Sequence, residues 1–156
     1  MERLKEIIRQ KTLDNIDLDR DISDEELYGI IDRVINTHGK TEYISIRDKQ
    51  RLRTDVYNAI RKLDILQELL DDSSITEIMV NGPDKIFIEK DGAILPYEKH
   101  FESRQKLEDL IQQMVSHSNR IINEASPIVD SRLPDGSRVN VVLPPVALEG
   151  PIITIR

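Results

Sequence analysis

The spacing of apolar residues changes once along this chain, near Thr76, and that change sets what the chain can fold into. Before it, apolar residues recur at helical intervals. Leu27, Ile30, Ile31, Val34 and Ile35 follow the i, i+3, i+4, i+7, i+8 pattern of one buried helix face. Ser23 followed by Glu26 is a capping-box start for that helix, and Gly39 stands where a helix C-terminal glycine belongs. Ahead of it, Leu4, Ile7 and Ile8 begin a short amphipathic segment, and the Asp-rich residues 12–22 read as a loop. Behind it, Leu52, Val56, Ala59, Ile60 and Leu63 form a third helical stripe continuing towards Leu66, Leu69 and Leu70. Residues 1–70 therefore read as a helical extension, a small bundle with solvated charged faces. Such a stripe would also suit a docking partner, and spacing does not separate the two.

After Thr76 the period falls to two. The run ITEIMVNG is rich in β-branched residues and ends in Asn-Gly. In KIFIEKDGAILPYE, Ile86 and Ile88 alternate with Phe87 and Glu89, and Asp91-Gly92 between two such runs predicts a hairpin. Ser103 caps a helix whose apolar face is Leu107, Leu110, Ile111, Met114 and Val115. IVDSRL, SRVNVVL and PIITIR follow as strands, broken by Pro-Asp-Gly and Pro-Pro. The predicted order is β-β-α-β-β-β. Residues 71–156 thus read as an α+β domain of PAS-like kind, with an antiparallel or mixed sheet.

Composition narrows the function. At 156 residues there is room for one domain, or for a small domain and an extension. With aromatics at 4% and no Trp, the core has to be built from Ile, Leu and Val. The absence of Cys excludes disulfides and thiolate metal sites, and His38, His100 and His117 have no metal-ligand spacing. His100 and His117 read as surface or helix-end residues, and Asp71-Asp72 as an acidic helix end. No apolar run approaches the roughly 20 residues of a membrane span, and no signal-peptide core opens the chain, so a cytoplasmic protein is expected. The net charge of −7, with an excess of acids in both regions, argues against nucleic acid as a partner.

The cations near the end of the chain are unusual. After Lys106 every one is arginine: Arg120, Arg132, Arg138 and Arg156. Alternation places Asp130 and Arg132 on one side of a strand, and Arg138, Asn140 and Val142 on one side of the next. Arginine offers a planar fork of donors suited to phosphate or carboxylate, whereas lysine is a point charge. Arginines held on rigid strands are therefore a candidate oxyanion clamp. The alternative is that Arg132 and Arg138 pair with Asp130, Asp135 or Glu124 and only brace the hairpin. The chain has no Gly-rich phosphate loop, dinucleotide fingerprint or nucleophile elbow, and Val80-Asn81-Gly82-Pro83 is a turn.

ITEIMVNGPDKIFIEKDG, SPIVDSRLPDGSRVNVVLPPVALEGPIITIR and the helix between them together resemble the N-terminal domain of the type II/IV secretion ATPases. Within that superfamily they look most like the CpaF-like branch, which powers tight-adherence (Flp) pilus assembly. The resemblance covers residues 63–156. It implies a hexameric motor whose RecA-like C-terminal domain, with its Walker A loop, would lie beyond Arg156. It also implies ATP and Mg²⁺ bound between the two domains, and inner-membrane platform proteins as partners at the cytoplasmic face. Residue by residue, Arg132, Arg138 and Arg156 fall on the family's arginine positions and imply contacts to the ATP phosphates. The full-length protein is then expected to hydrolyse ATP, and these 156 residues alone to bind nucleotide weakly and hydrolyse none. A free-standing interaction module and a small-molecule-sensing PAS-type domain stay open as alternatives.

Overall fold

The computed structural model describes residues 2–17, 19–116, 118, 120–144, 146–147 and 149–156. The chain divides into two compact units, Met1–Gln67 and Glu68–Arg156.

The first unit is built on helices α1 (Glu2–Asp14), α2 (Asp24–His38) and α3 (Ile46–Arg61). The predicted stripe of α2 is buried in full, and it packs with Ile8 of α1 and with Leu52, Val56 and Tyr57 of α3. Ser23 caps α2 as expected, accepting from the Glu26 N–H at 3.1 Å. The other half of the capping box does not form, because the Glu26 carboxylate is taken by Arg20. Ser45 caps α3 in the same way through the Asp48 N–H. Two expectations need correction. Residues 12–14 are helical rather than loop, because Thr12 is fully buried and its hydroxyl donates to the Ile8 carbonyl at 2.8 Å. The third stripe is not continuous: Lys62 is extended and Asp64 has φ +49. The chain then resumes as a 3₁₀ turn (Asp64–Leu66) and a short α4 (Gln67–Leu70). Gly39 caps α2 at its C-terminus, but in right-handed conformation.

The second unit is a six-stranded sheet with one long helix. The strands are β1 (Ile75–Asn81), β2 (Ile86–Lys90), β3 (Ala93–Pro96), β4 (Ile128–Arg132), β5 (Arg138–Val142) and β6 (Ile152–Ile155), with α5 (Arg104–Ser116) between β3 and β4. The fold class is the expected α+β. The second arm of the predicted hairpin counts as a strand of its own, so three strands precede the helix. The spatial order is β3-β2-β1-β6-β5-β4 and every pairing is antiparallel. Asp91 and Gly92 both take positive φ, as a two-residue hairpin turn with this twist requires.

Alternation gives the sheet two unlike sides. Ile78, Val80, Ile86, Ile88, Val129, Val139, Val141, Ile153 and Ile155 are buried on one side. The Ser131 hydroxyl, on that same side, donates to Ser118 just past α5 at 2.6 Å, which places the helix there. The five apolar residues of the predicted α5 stripe are all buried. A helix of this length is marginal by itself, so burial of such side chains, about 1.5–3 kcal/mol each, holds it in place. The opposite side carries Glu77, Glu89, Asp130, Arg132, Arg138, Asn140, Thr154 and Arg156, none of them buried.

Candidate functional site

Strand register builds the site. Arg132 on β4 lies directly opposite Arg138 on β5. Arg138 in turn lies opposite Arg156, immediately after β6. The Arg138 N–H donates to the Arg156 carbonyl at 3.0 Å, and the Arg156 N–H returns the bond at 2.9 Å. Directly opposed residues of an antiparallel pair share a face, with Cβ atoms about 4.5–5.5 Å apart. The three arginines therefore form one row across three neighbouring strands. The turn that sets the first pair is fixed by three bonds. Leu133 N–H donates to Ser137 O, Gly136 N–H to Leu133 O, and Ser137 N–H to the Asp135 carboxylate. Gly136, at φ +91, supplies the backbone conformation the turn needs.

The row lines a cavity of 820 Å³. Arg120, which follows α5, reaches the same space, as do Asp130, Asn140 and Thr154 from the next row of the sheet. Four guanidinium groups thus face a space whose lining holds one carboxylate, Asp130. Asp130 is not ion-paired with Arg120, Arg132 or Arg138; its Oδ1 accepts from Asn140 Nδ2 at 2.7 Å. Among the described residues no acidic side chain is paired with Arg120, Arg132 or Arg138. Arg156 is paired, its Nε donating to Glu77 Oε1 at 3.1 Å. Like charges set directly across a sheet repel. A concave row of guanidiniums, two of the three without an acidic partner, can lower that repulsion by taking a multiply charged oxyanion through bidentate forks. The helical unit has a cavity of 470 Å³, but Lys11, Asp14 and Arg33 give it charges of both signs.

The structure brings all three sequence-predicted residues, Arg132, Arg138 and Arg156, into one row. The hairpin brace is not what they form: neither Arg132 nor Arg138 is ion-paired with Asp130, Asp135 or Glu124, the Asp135 carboxylate accepting from its own turn and Asp130 from Asn140. Sequence reasoning noted Arg120 as one of four late arginines but not as part of the clamp; the arginine-only run after Lys106 was the available signal. Glu77 was missed entirely, since it meets Arg156 from 79 residues away. His100 is exposed with Nδ1 against the Phe101 carbonyl, and His117 lies outside the described residues. Asp72 is held below the usual carboxylate range by bonds from the Ser74 hydroxyl and N–H, with Lys90 adding to them. Among the described residues no group of three or more His, Asp or Glu could hold a metal ion. No described helix is long and apolar enough to cross a membrane.

Comparison with known proteins agrees on one family. The family model for type II/IV secretion system proteins matches residues 60–156. An uncharacterized protein of Methanocaldococcus jannaschii is 31% identical over 101 residues, 64% of this chain and 14% of its own. The type IV secretion system protein VirB11 of Brucella suis biovar 1 is 33% identical over 95 residues, 60% of this chain and 26% of its own. The crystal structure of the VirB11 ATPase from the Brucella suis type IV secretion system, in complex with sulphate, superposes with a TM-score of 0.53 at 30% identity. It covers 58% of this chain and 27% of that one. The chain thus spans from about a seventh to about a quarter of the length of these relatives. With the sheet unit matched as a whole and well over half of the residues covered, this chain belongs to the type II/IV secretion system protein family.

Proposed function

We propose that this chain is the N-terminal region of a secretion-system ATPase, and that Arg132, Arg138 and Arg156 contact the phosphates of ATP held by a RecA-like domain of the full-length protein. The observation carrying this reading is the in-register row of three arginines, two of them without an acidic partner, in a cavity of 820 Å³. The name of a relative, the VirB11 ATPase, supports the chemistry. The residues fit a polyphosphate: guanidinium forks match phosphate oxygens, and ATP supplies the transferable phosphoryl group whose oxygens gather negative charge during transfer. The arginines' part is electrostatic, neutralising that charge from a preformed position. Mg²⁺ would be held together with the phosphates, and the proposed second domain is the source of its ligands in this reading.

Several finer features belong to the same proposal. The branch is the CpaF-like one, serving tight-adherence pilus assembly. The full-length protein works as a hexamer at the cytoplasmic face of the inner membrane, held there by platform proteins. Residues 1–70 act as a helical extension and 71–156 as the nucleotide-contacting domain. A small-molecule-sensing reading expects an enclosed apolar pocket; the cavity described above in the sheet unit is lined by four arginines.

Arg138, in the middle of the row, gives the test. In the full-length protein Arg138→Ala is expected to lower kcat for ATP hydrolysis more than it raises KM, and Arg138→Lys to rescue poorly because the fork is lost. Unchanged turnover would reject the role. Isothermal calorimetry on these 156 residues should find weak or no ATP binding. A micromolar affinity would contradict the need for a second domain.

A further inference from the structure

Charge is segregated along a single row of the sheet. Glu89 on β2 lies directly opposite Glu77 on β1. β1 pairs Ile78 with Ile155, so the next position in register sets Glu77 beside Arg156. Arg138 and Arg132 complete the row. Read across the strands, two carboxylates are followed by three guanidiniums.

Glu77 differs from the arginines of the row, which are all exposed. Its side chain is 18% exposed, whereas that of Arg156 is 74% exposed. Glu77 is thus a fixed point and Arg156 a long side chain reaching outward. The two meet through Arg156 Nε at 3.1 Å. Among the described residues the terminal nitrogens of Arg156 have no partner, so the pair of donors at the tip of the fork stays free. An acceptor on Nε takes part of the side edge of the guanidinium and orients the group, leaving the end edge with its two terminal nitrogens open to a phosphate. Glu77 also has reason to keep this partner: directly opposed carboxylates repel, and no cation is paired with Glu89 among the described residues.

We propose that Glu77 is a positioning residue that holds Arg156 by Nε so that its terminal nitrogens face the phosphate oxygens. This rests on the phosphate-contacting reading of the arginine row and names a residue outside it. The benefit is preorganisation: an exposed arginine left free loses more side-chain freedom on binding than one already oriented.

The test uses two readouts. In the 156-residue chain, NMR of the arginine Nε–H groups is followed during titration with inorganic pyrophosphate. In the full-length protein, kcat and KM for ATP are measured. Glu77→Ala is expected to erase the distinct Arg156 Nε–H signal. It should also weaken the pyrophosphate response of Arg156 about fivefold, the range of an exposed charge pair, and lower kcat more than it raises KM. Glu77→Gln keeps an acceptor oxygen and a similar shape, so it should retain most of both. In an Arg156→Ala background, Glu77→Ala should add nothing. If Arg138→Ala and Arg156→Ala lower both readouts while Glu77→Ala lowers neither, the positioning role is overturned and the arginine reading stands. If none of the arginine variants matters, the arginine reading itself has failed. Tighter pyrophosphate binding in Glu77→Ala would make Glu77 a competitor and overturn the proposal. An equal loss in the Arg156→Ala background would reduce it to a part of the sheet's stability and overturn it too.

Discussion

Arg132 and Arg138 stand directly opposite each other without an acid between them, an arrangement that a sheet selected for stability alone would avoid. Both are solvent-exposed, so the repulsion is modest and falls with salt. We expect Arg132→Ala to raise the stability of the sheet unit by up to about 1 kcal/mol at low ionic strength, the scale of a like-charge cross-strand pair. The gain should shrink when urea unfolding is repeated in molar salt. A destabilised Arg132→Ala would show that the guanidinium packs against the sheet to more effect than it repels. Stability gained where catalysis is lost is the usual mark of a functional residue. The arginines themselves were legible in the sequence, because alternation fixes which side of a strand each residue takes. Their junction into one row was not, since strand pairing and register carry no local signal: β6 has to pair with β5 in the register that sets Arg156 opposite Arg138. Glu77 was invisible for the same reason: its contact with Arg156 spans 79 residues and leaves no local pattern.

At the scale of elements, local chemistry was the reliable guide. Asp91-Gly92 predicted a two-residue hairpin, and both residues have the positive φ it needs. An added Cβ at Gly92 meets nothing within 4 Å, so Gly92→Ala carries only the backbone cost. We expect a loss of about 1 kcal/mol in urea unfolding, and a much larger loss would reveal a contact not apparent in the turn. Ile111 of α5 is fully buried, and Ile111→Ala should cost about 2–5 kcal/mol by the same measurement. Two loops meet where no local signal could have forecast it. The Gly82 N–H donates to the Pro151 carbonyl at 2.8 Å, and a Cβ on Gly150 would lie 3.6 Å from the Gly82 Cα. Element boundaries were the weak point. Thr12 escaped the predicted loop because its hydroxyl is satisfied inside the helix, and the stripe through Leu63 broke at Asp64, where φ is +49. Apolar spacing is blind to both causes.

Across the whole molecule, the two units carry titrations at opposite ends of the pH scale. In the helical unit, burial is the largest influence on Lys5 and lowers its pKa. The charge and hydrogen bond of Asp64, 2.8 Å away, outweigh it and leave the pKa above its ordinary 10.5. A raised pKa means that protonated Lys5 stabilises the folded unit. The contribution is present in full below 10.5 and is lost as pH climbs through the higher folded value. Asp72 in the sheet unit is depressed below 3.8, so its contribution holds above that pH and fades as acid is added through the lower folded value. Thermal scans should therefore find Lys5→Met flattening the alkaline loss of the helical unit, and Asp72→Asn flattening the acid loss of the sheet unit. An unchanged profile in either variant would remove that group from the account. The row of guanidiniums has a consequence for chain length. Neighbouring side chains of a strand point to opposite sides, so a single residue inserted between Arg138 and Val142 turns part of β5 inside out, whereas two slide it along its own surface. A library of short insertions in β5 should sort by parity, with odd lengths collapsing the fold and even ones sparing it while misaligning its charges.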